Sequence, residues 1–304
     1  MTSYWVIFKS GYPRLIPGKT FNIARESRHS ETRAWFLNGN TLSEWKDSGP
    51  SSLLWINGKR QLSPSTYVFE ESDALPIRSG RWEERPLVRQ TFHILVLRTN
   101  TFVSSAVIEE IKAMQKSELA SLVIFYYDFR EDGKRHVLGL LSLVLFQLCD
   151  QSDSYYDILS AFYSTHHNGA QSPGNDELVQ CLLDLLKLPG PRPVYLVIDA
   201  LDECPSTSSL SSPRKKLLSF LEDLVKAQLP NLRICITSRP EVDIKVILEP
   251  LAFRSVSLHD ESGQKGDIAK YINSIVNTNK NMQNWNPEHK QLVIDELTKK
   301  VDGM

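Results

Sequence analysis

The residues best placed to do chemistry lie in the stretch VYLVIDALDECP, Val194 to Pro205. A continuous apolar run, Val194-Tyr195-Leu196-Val197-Ile198, ends in Asp199, and Asp202 and Glu203 follow three and four residues later. A β-branched run without polar alternation predicts a parallel strand covered on both faces. An acid at the carboxyl end of such a strand sits in the crevice where open α/β sheets take ligands. There Asp199 can hold Mg²⁺, directly or through water, because that ion keeps most of its waters and needs only one or two carboxylates plus phosphate oxygens. Asp202 or Glu203, in the turn beyond, can orient or deprotonate a water that attacks a terminal phosphate. The plainer alternative is a strand ending in a helix-capping Asp with two solvated acids after it.

A second strand end carries a cation. ICITSRPEVD, Ile234 to Asp243, delivers Thr237-Ser238-Arg239 to the same edge of the sheet. A guanidinium there can read a γ-phosphate through its planar fork of donors. Equally, Arg239 can pair with Asp199 or Glu203 and hold two loops together; both readings stand. A third strand, Leu53-Leu54-Trp55-Ile56, runs into Asn57-Gly58-Lys59, which begins like a phosphate-binding turn. The further glycines, second lysine and Ser or Thr of such a turn do not follow. A mimic at Pro13 to Thr20, ending in Gly18-Lys19-Thr20, fails because Pro17 removes an N–H that a phosphate nest needs.

The elements that must position these residues alternate along the chain. Leu122 to Tyr127 reads as a strand, Val137 to Cys149 and Glu177 to Lys187 as helices. Ser212-Pro213 reads as an N-cap with proline at the first helical position, opening a helix that runs to Gln228 on Leu217, Leu218, Leu221, Leu224 and Val225. Leu232 to Ile236 is the next strand, Glu241 to Leu248 a short helix, and Ser255 to Leu258 a further strand. Two helices, about 265–276 and 287–301, follow. Strands alternating with helices of this length need crossover connections, so the expected fold class is α/β, with a doubly wound, parallel five-stranded sheet followed by C-terminal helices.

Composition narrows the function classes. At 41% hydrophobic and 23% charged, the chain is ordinary globular material, and a formal net charge of -1 gives no pull toward nucleic acid or an anionic membrane. The basic run Arg214-Lys215-Lys216 is expected to be a solvated helix face. The most apolar stretch, Val137 to Cys149, falls short of the ~20 residues of a membrane span. Residues 1–8 lack a signal-peptide pattern, which predicts a cytoplasmic location. Cys149, Cys181, Cys204 and Cys235, with no C-x-x-C pair, read as buried free thiols, and His166-His167 lacks the spacing of a helical zinc site.

Taken together, D-A-L-D-E-C-P after its strand, the later I-T-S-R-P, and the lead-in AWFLNGNTLSEWKDSGPSSLLWINGK resemble the NACHT branch of the signal-transducing (STAND) P-loop NTPases, in the nephrocystin-like group found in many fungal proteins. The resemblance covers residues 31–59 and 103–304. It implies a P-loop NTPase type of sheet, Mg²⁺ with ATP or GTP as cofactor, and a homo-oligomer. It places Asp199 on the Walker B magnesium position, Asp202 and Glu203 on the water-activating pair, Arg239 on the sensor of the fourth strand, and Gly58 and Lys59 on the first two positions of the Walker A loop. It also divides the chain into an N-terminal tail at 1–30, an NTPase-like domain at 31–260, and the start of a C-terminal helical region at 261–304 that relatives continue.

The departure is in the Walker A loop, whose glycines, lysine and metal-binding Ser are missing. Residues 60–102 stand in their place, far longer than the ~2–6 residues that join strand to helix in compact α/β domains. The segment is read as foreign to the fold, from alternative splicing or an unremoved intervening sequence, with an inactive paralogue as the alternative. Losing the lysine and two backbone donors removes ~5 kcal/mol, or three to four decades in affinity. The chain is therefore expected to bind nucleotide weakly or not at all. Two functions follow: a NACHT-type signalling module defective in nucleotide binding, or a non-enzymatic scaffold remnant of one. A hydrolase with a Ser nucleophile lacks its G-x-S-x-G elbow.

Overall fold

The computed structural model describes residues 34–37, 39–58, 99–128, 136–166, 171, 173–188, 192–207, 212–258, 262–278, 282–283 and 285–302. In chain order these form α1 (Ala34–Leu37), α2 (Asn40–Lys46), β1 (Ser52–Asn57), α3 (Thr99–Lys116), β2 (Ser121–Tyr126), α4 (Val137–Cys149), α5 (Asp153–Thr165), α6 (Asn175–Lys187) and β3 (Val194–Asp199). A single 3₁₀ turn, Leu201–Glu203, leads to α7 (Pro213–Lys226), β4 (Leu232–Ser238), α8 (Val242–Leu251), β5 (Arg254–Ser257), α9 (Ser262–Thr278) and α10 (Pro287–Asp302). The tail at 1–30, Lys59, and residues 60–98 of the expected insertion lie outside the described residues.

The five strands form one parallel sheet in the order β2-β3-β4-β1-β5. The two side-chain sets of each strand separate cleanly. Leu53, Trp55, Val123, Phe125, Leu196, Ile198, Ile234 and Ile236 enter a core with α4, α6, α7 and α8. Leu54, Ile56, Leu122, Ile124, Tyr195, Val197 and Cys235 face the other way, against Trp45 of α2 and Val103, Val107, Ile108 and Ile111 of α3. Helices on both faces are why these strands read as unbroken apolar runs. The fold is a doubly wound, parallel five-stranded α/β sheet, as the alternating pattern predicted.

Several boundaries differ from expectation. The helix expected from Val103 starts at Thr99, so four residues assigned to the insertion are helical. α5 was not anticipated, although Tyr155, Ile158, Leu159 and Phe162 have the spacing of one helix face and pack on the core. α8 runs to Leu251 through Pro250, because a proline in the last turn costs a single ladder hydrogen bond, and Ala252 N–H still reaches Leu248 O at 2.9 Å. Ser212 does occupy the N-cap of α7 with Pro213 behind it, but its hydroxyl makes no cap bond. Instead it accepts from Thr207 N–H at 3.1 Å and donates to Pro205 O at 3.4 Å, tying down the loop that leaves the acidic turn.

Candidate functional site

The strand order sets β4 between β3 and β1, so the three motifs read from the sequence end side by side on one rim. Gly58 continues β1 by donating its N–H to Ser238 O at 3.3 Å, and Trp55 Nε1 donates to Ser238 Oγ at 2.9 Å. Among the described residues Gly58 is the only cradle position on this rim. Asn57 is held on the other side by its amide, which donates to Ser255 Oγ at 3.0 Å.

Asp199 is 2% exposed and belongs to the side-chain set of Tyr195 and Val197, toward α3. Its carboxylate accepts a hydroxyl hydrogen bond from Thr237 at the end of β4 and another from Ser104 on α3. Burial pushes the carboxyl above its ordinary value of 3.8; the hydroxyls of Thr237 and Ser104 oppose that shift, the charge of Asp202 adds to it, and the Ala200 N–H opposes it. The Tyr126 hydroxyl, from the β2 residue paired with Asp199, is buried without a partner, and burial followed by the Asp199 charge raises its pKa.

The chain turns sharply after Asp199. Ala200 adopts φ 57°, ψ 46°, the left-handed region that costs a non-glycine residue ~1–2 kcal/mol. Three bonds hold it there: its N–H to Thr237 Oγ1 at 3.1 Å, Glu203 N–H to its carbonyl at 2.9 Å, and Cys204 N–H to Leu201 O at 3.0 Å. The turn presents Asp202, whose side chain is 8% exposed, to the β4 end. Arg239 donates its backbone N–H to Asp202 Oδ1 at 3.0 Å and brings Nε within 3.2 Å of Oδ2. The acid that Arg239 meets is thus Asp202, and neither of the two named from sequence. Glu203 is half-buried on the same turn.

Arg214 is the largest correction. It was expected on a solvated basic face, yet its side chain is 7% exposed. Its Nε donates to Cys204 O at 2.8 Å, one terminal nitrogen donates to Asp202 O, and the other reaches Glu241 and Asp243 at the start of α8. One buried guanidinium thus binds the acidic turn to the segment just after Arg239. Three site groups were missed from sequence: Arg214, Ser104 and Thr237, the last quoted only as part of the strand end. A helix-start Arg next to two lysines gives no local sign of burial. A Ser pair in the phase of the α3 core face, Ser104-Ser105, was the available signal for the second.

For a hard cation the donor chemistry fits: one carboxylate with about four acceptor directions, two of them taken by hydroxyls, beside those Ser and Thr hydroxyls. For a triphosphate the described residues do not fit, since Gly58 alone supplies no nest of successive N–H groups. Among the described residues no group of three or more His, Cys, Asp and Glu forms a metal cluster, and no helix is long and apolar enough to cross a membrane.

Residues 99–239 match the family model described as Nephrocystin 3, N-terminal. That is just under half of the chain. The Aeropyrum pernix ORC2 protein, solved in ADPNP–ADP complexes, is similar over 98% of this chain and 70% of its own at 13% identity and a TM-score of 0.41. No match was found among curated proteins. The matched segment opens on α3, contains β2, β3, β4 and the acidic turn, and closes on Arg239. Over these residues, which lie on the parallel sheet, the chain is thus similar to a nephrocystin-type N-terminal region.

Proposed function

We propose that this chain is a NACHT-type, nucleotide-dependent signalling module of the STAND class whose Walker A loop is missing, so that it binds Mg-ATP or Mg-GTP weakly. The observation that carries the reading is the meeting of Asp199, the Thr237–Arg239 strand end and Gly58 on adjacent strands of one rim. In this reading Asp199 holds Mg²⁺ with the help of Ser104, Gly58 and Lys59 begin the phosphate turn, and Arg239 reads the γ-phosphate. Asp202, already engaged by Arg239, is a poor base in the resting state, which leaves Glu203 to activate water. Arg239 would then exchange Asp202 for phosphate, and that exchange would report nucleotide to a homo-oligomer in the cytoplasm.

The second reading is a non-enzymatic scaffold. What favours it is that the site satisfies itself: Asp199 on Thr237 and Ser104, Asp202 on Arg239. Thermal-shift titration with Mg-ATP and Mg-GTP separates the two. The module is expected to shift only as nucleotide approaches millimolar, three to four decades above an intact loop's range, and Asp199→Ala should abolish the shift. No shift with either nucleotide at any concentration would leave the scaffold.

A further inference from the structure

Among the described residues β2 is an edge strand, paired only with β3. Parallel pairing alternates, so Ser121 and Tyr127 send their N–H groups to the β3 side while Leu122 and Ile124 turn theirs outward. All six residues, Ser-Leu-Val-Ile-Phe-Tyr, are buried and uncharged. An apolar, β-branched edge of this kind is a template for pairing with another chain.

The outward groups of Leu122 and Ile124 are nevertheless taken. Gln151 Oε1 accepts from Leu122 N–H at 3.0 Å while its Nε2 donates to Leu122 O at 2.8 Å. Gln147 repeats the pattern on Ile124, accepting at 3.0 Å and donating at 2.9 Å. A carboxamide carries one acceptor and an NH₂, the same pair that a peptide group offers. Register makes the match possible: four helical residues rise about 6 Å, and two strand residues about 6.6 Å, so side chains at i and i+4 meet alternate strand positions. Gln115 on α3 then donates to Gln151 Oε1 at 2.7 Å, and Gln151 Nε2 to the backbone carbonyl of Gln147 at 2.8 Å, which fixes the Gln151 amide; Gln147 Nε2 also reaches Leu143 O at 3.4 Å.

We propose that Gln147 and Gln151 act as a side-chain strand that closes the β2 edge against a second copy of this chain. The partner they exclude is the same six-residue edge, whose outward N–H and C=O groups would otherwise pair edge to edge between copies.

The test compares two double variants of the full chain. Gln147→Ala with Gln151→Ala removes the amides and bares the edge. Gln147→Glu with Gln151→Glu keeps the shape, loses the donors and lines the edge with like charge. Light scattering over a concentration series and hydrogen exchange at Leu122 and Ile124 are the readouts. The alanine variant should keep a folded circular dichroism spectrum and assemble, its mass exceeding wild type and climbing with concentration. The glutamate variant, which keeps the acceptors for the two N–H groups, should keep both their slow exchange and the wild-type mass. Any other pattern, including assembly of both variants, assembly of neither, or loss of fold in the alanine variant, overturns the proposal.

Discussion

Replacing Arg214 separates a buried clasp from a solvated basic face. In Arg214→Ala the carbonyl oxygens of Cys204 and Asp202 lose their donors, and Cys204 is fully buried. An unsatisfied buried acceptor costs ~1–3 kcal/mol; with the full cost at buried Cys204 and the low end at partly buried Asp202, the two together give ~2–4 kcal/mol. The carboxylates of Glu241 and Asp243 are 42% and 39% exposed, so water can replace the guanidinium there and each pair contributes under ~1 kcal/mol. Lost packing of the stem brings the expected total to ~3–5 kcal/mol, the range for breaking a buried ion pair. Urea unfolding measures it: the midpoint should fall with an unchanged slope, and Arg214→Lys, which keeps charge without the fork, should recover only part of the loss. A cost within ~0.5 kcal/mol is what a surface arginine gives, and that result would refute the clasp.

Asp199→Asn should remove a pH dependence. Because the folded carboxyl binds its proton more tightly than the unfolded one, wild-type stability should fall as pH rises from the ordinary value of 3.8 toward the folded value, by about 1.4 kcal/mol per unit of separation. The Asn variant, whose amide can donate to the Ser104 and Thr237 oxygens, should lack that fall; parallel stability curves for the two proteins would contradict the burial argument. Ala200→Gly relieves ~1–2 kcal/mol of left-handed strain against ~0.4–1 kcal/mol of added chain entropy, so chemical denaturation should show a net gain of up to ~1 kcal/mol. Asp202→Asn should cost about 1 kcal/mol, since Arg239 is 38% exposed and its charge can be hydrated; a loss above ~3 kcal/mol would mean that the pair is far more desolvated than its exposure implies. Sequencing of the mature transcript across codons 59–99 should show residues 60–98 removed, and a mature message that retains them would refute a foreign origin for that segment.

Much of the framework was legible because local and tertiary signals agreed. The unbroken run Val194–Ile198 needs cover on both faces and has it, and Val137–Cys149 has the bounds its apolar length suggested. Ser212-Pro213 marked a helix start for sound reasons of backbone geometry, even though the hydroxyl serves the loop instead. The strand-end positions of Asp199 and Arg239 also followed from the pattern. What did not follow were pairings across the rim. Asp202 with Arg239 and Arg214 with the Cys204 carbonyl depend on how far the turn after Asp199 bends, and that bend rests on a left-handed alanine no local rule predicts. The contact of Ser104 with Asp199 joins α3 to the end of β3 across the sheet face, a tertiary pairing that no local pattern shows. Gln147 and Gln151 were not singled out, since the strand they serve is separated from them in sequence.

The central claim is that the acid and sensor strands of a nucleotide site are in place and only the phosphate cradle is wanting. Calorimetric titration of Mg-ATP into this chain, and into a version with residues 60–98 replaced by a glycine-rich turn ending in Lys-Ser, measures that directly. The account expects millimolar or weaker binding by the first and a gain of about three decades by the second. Micromolar binding by the chain as it stands, or no gain on restoring the turn, would contradict it.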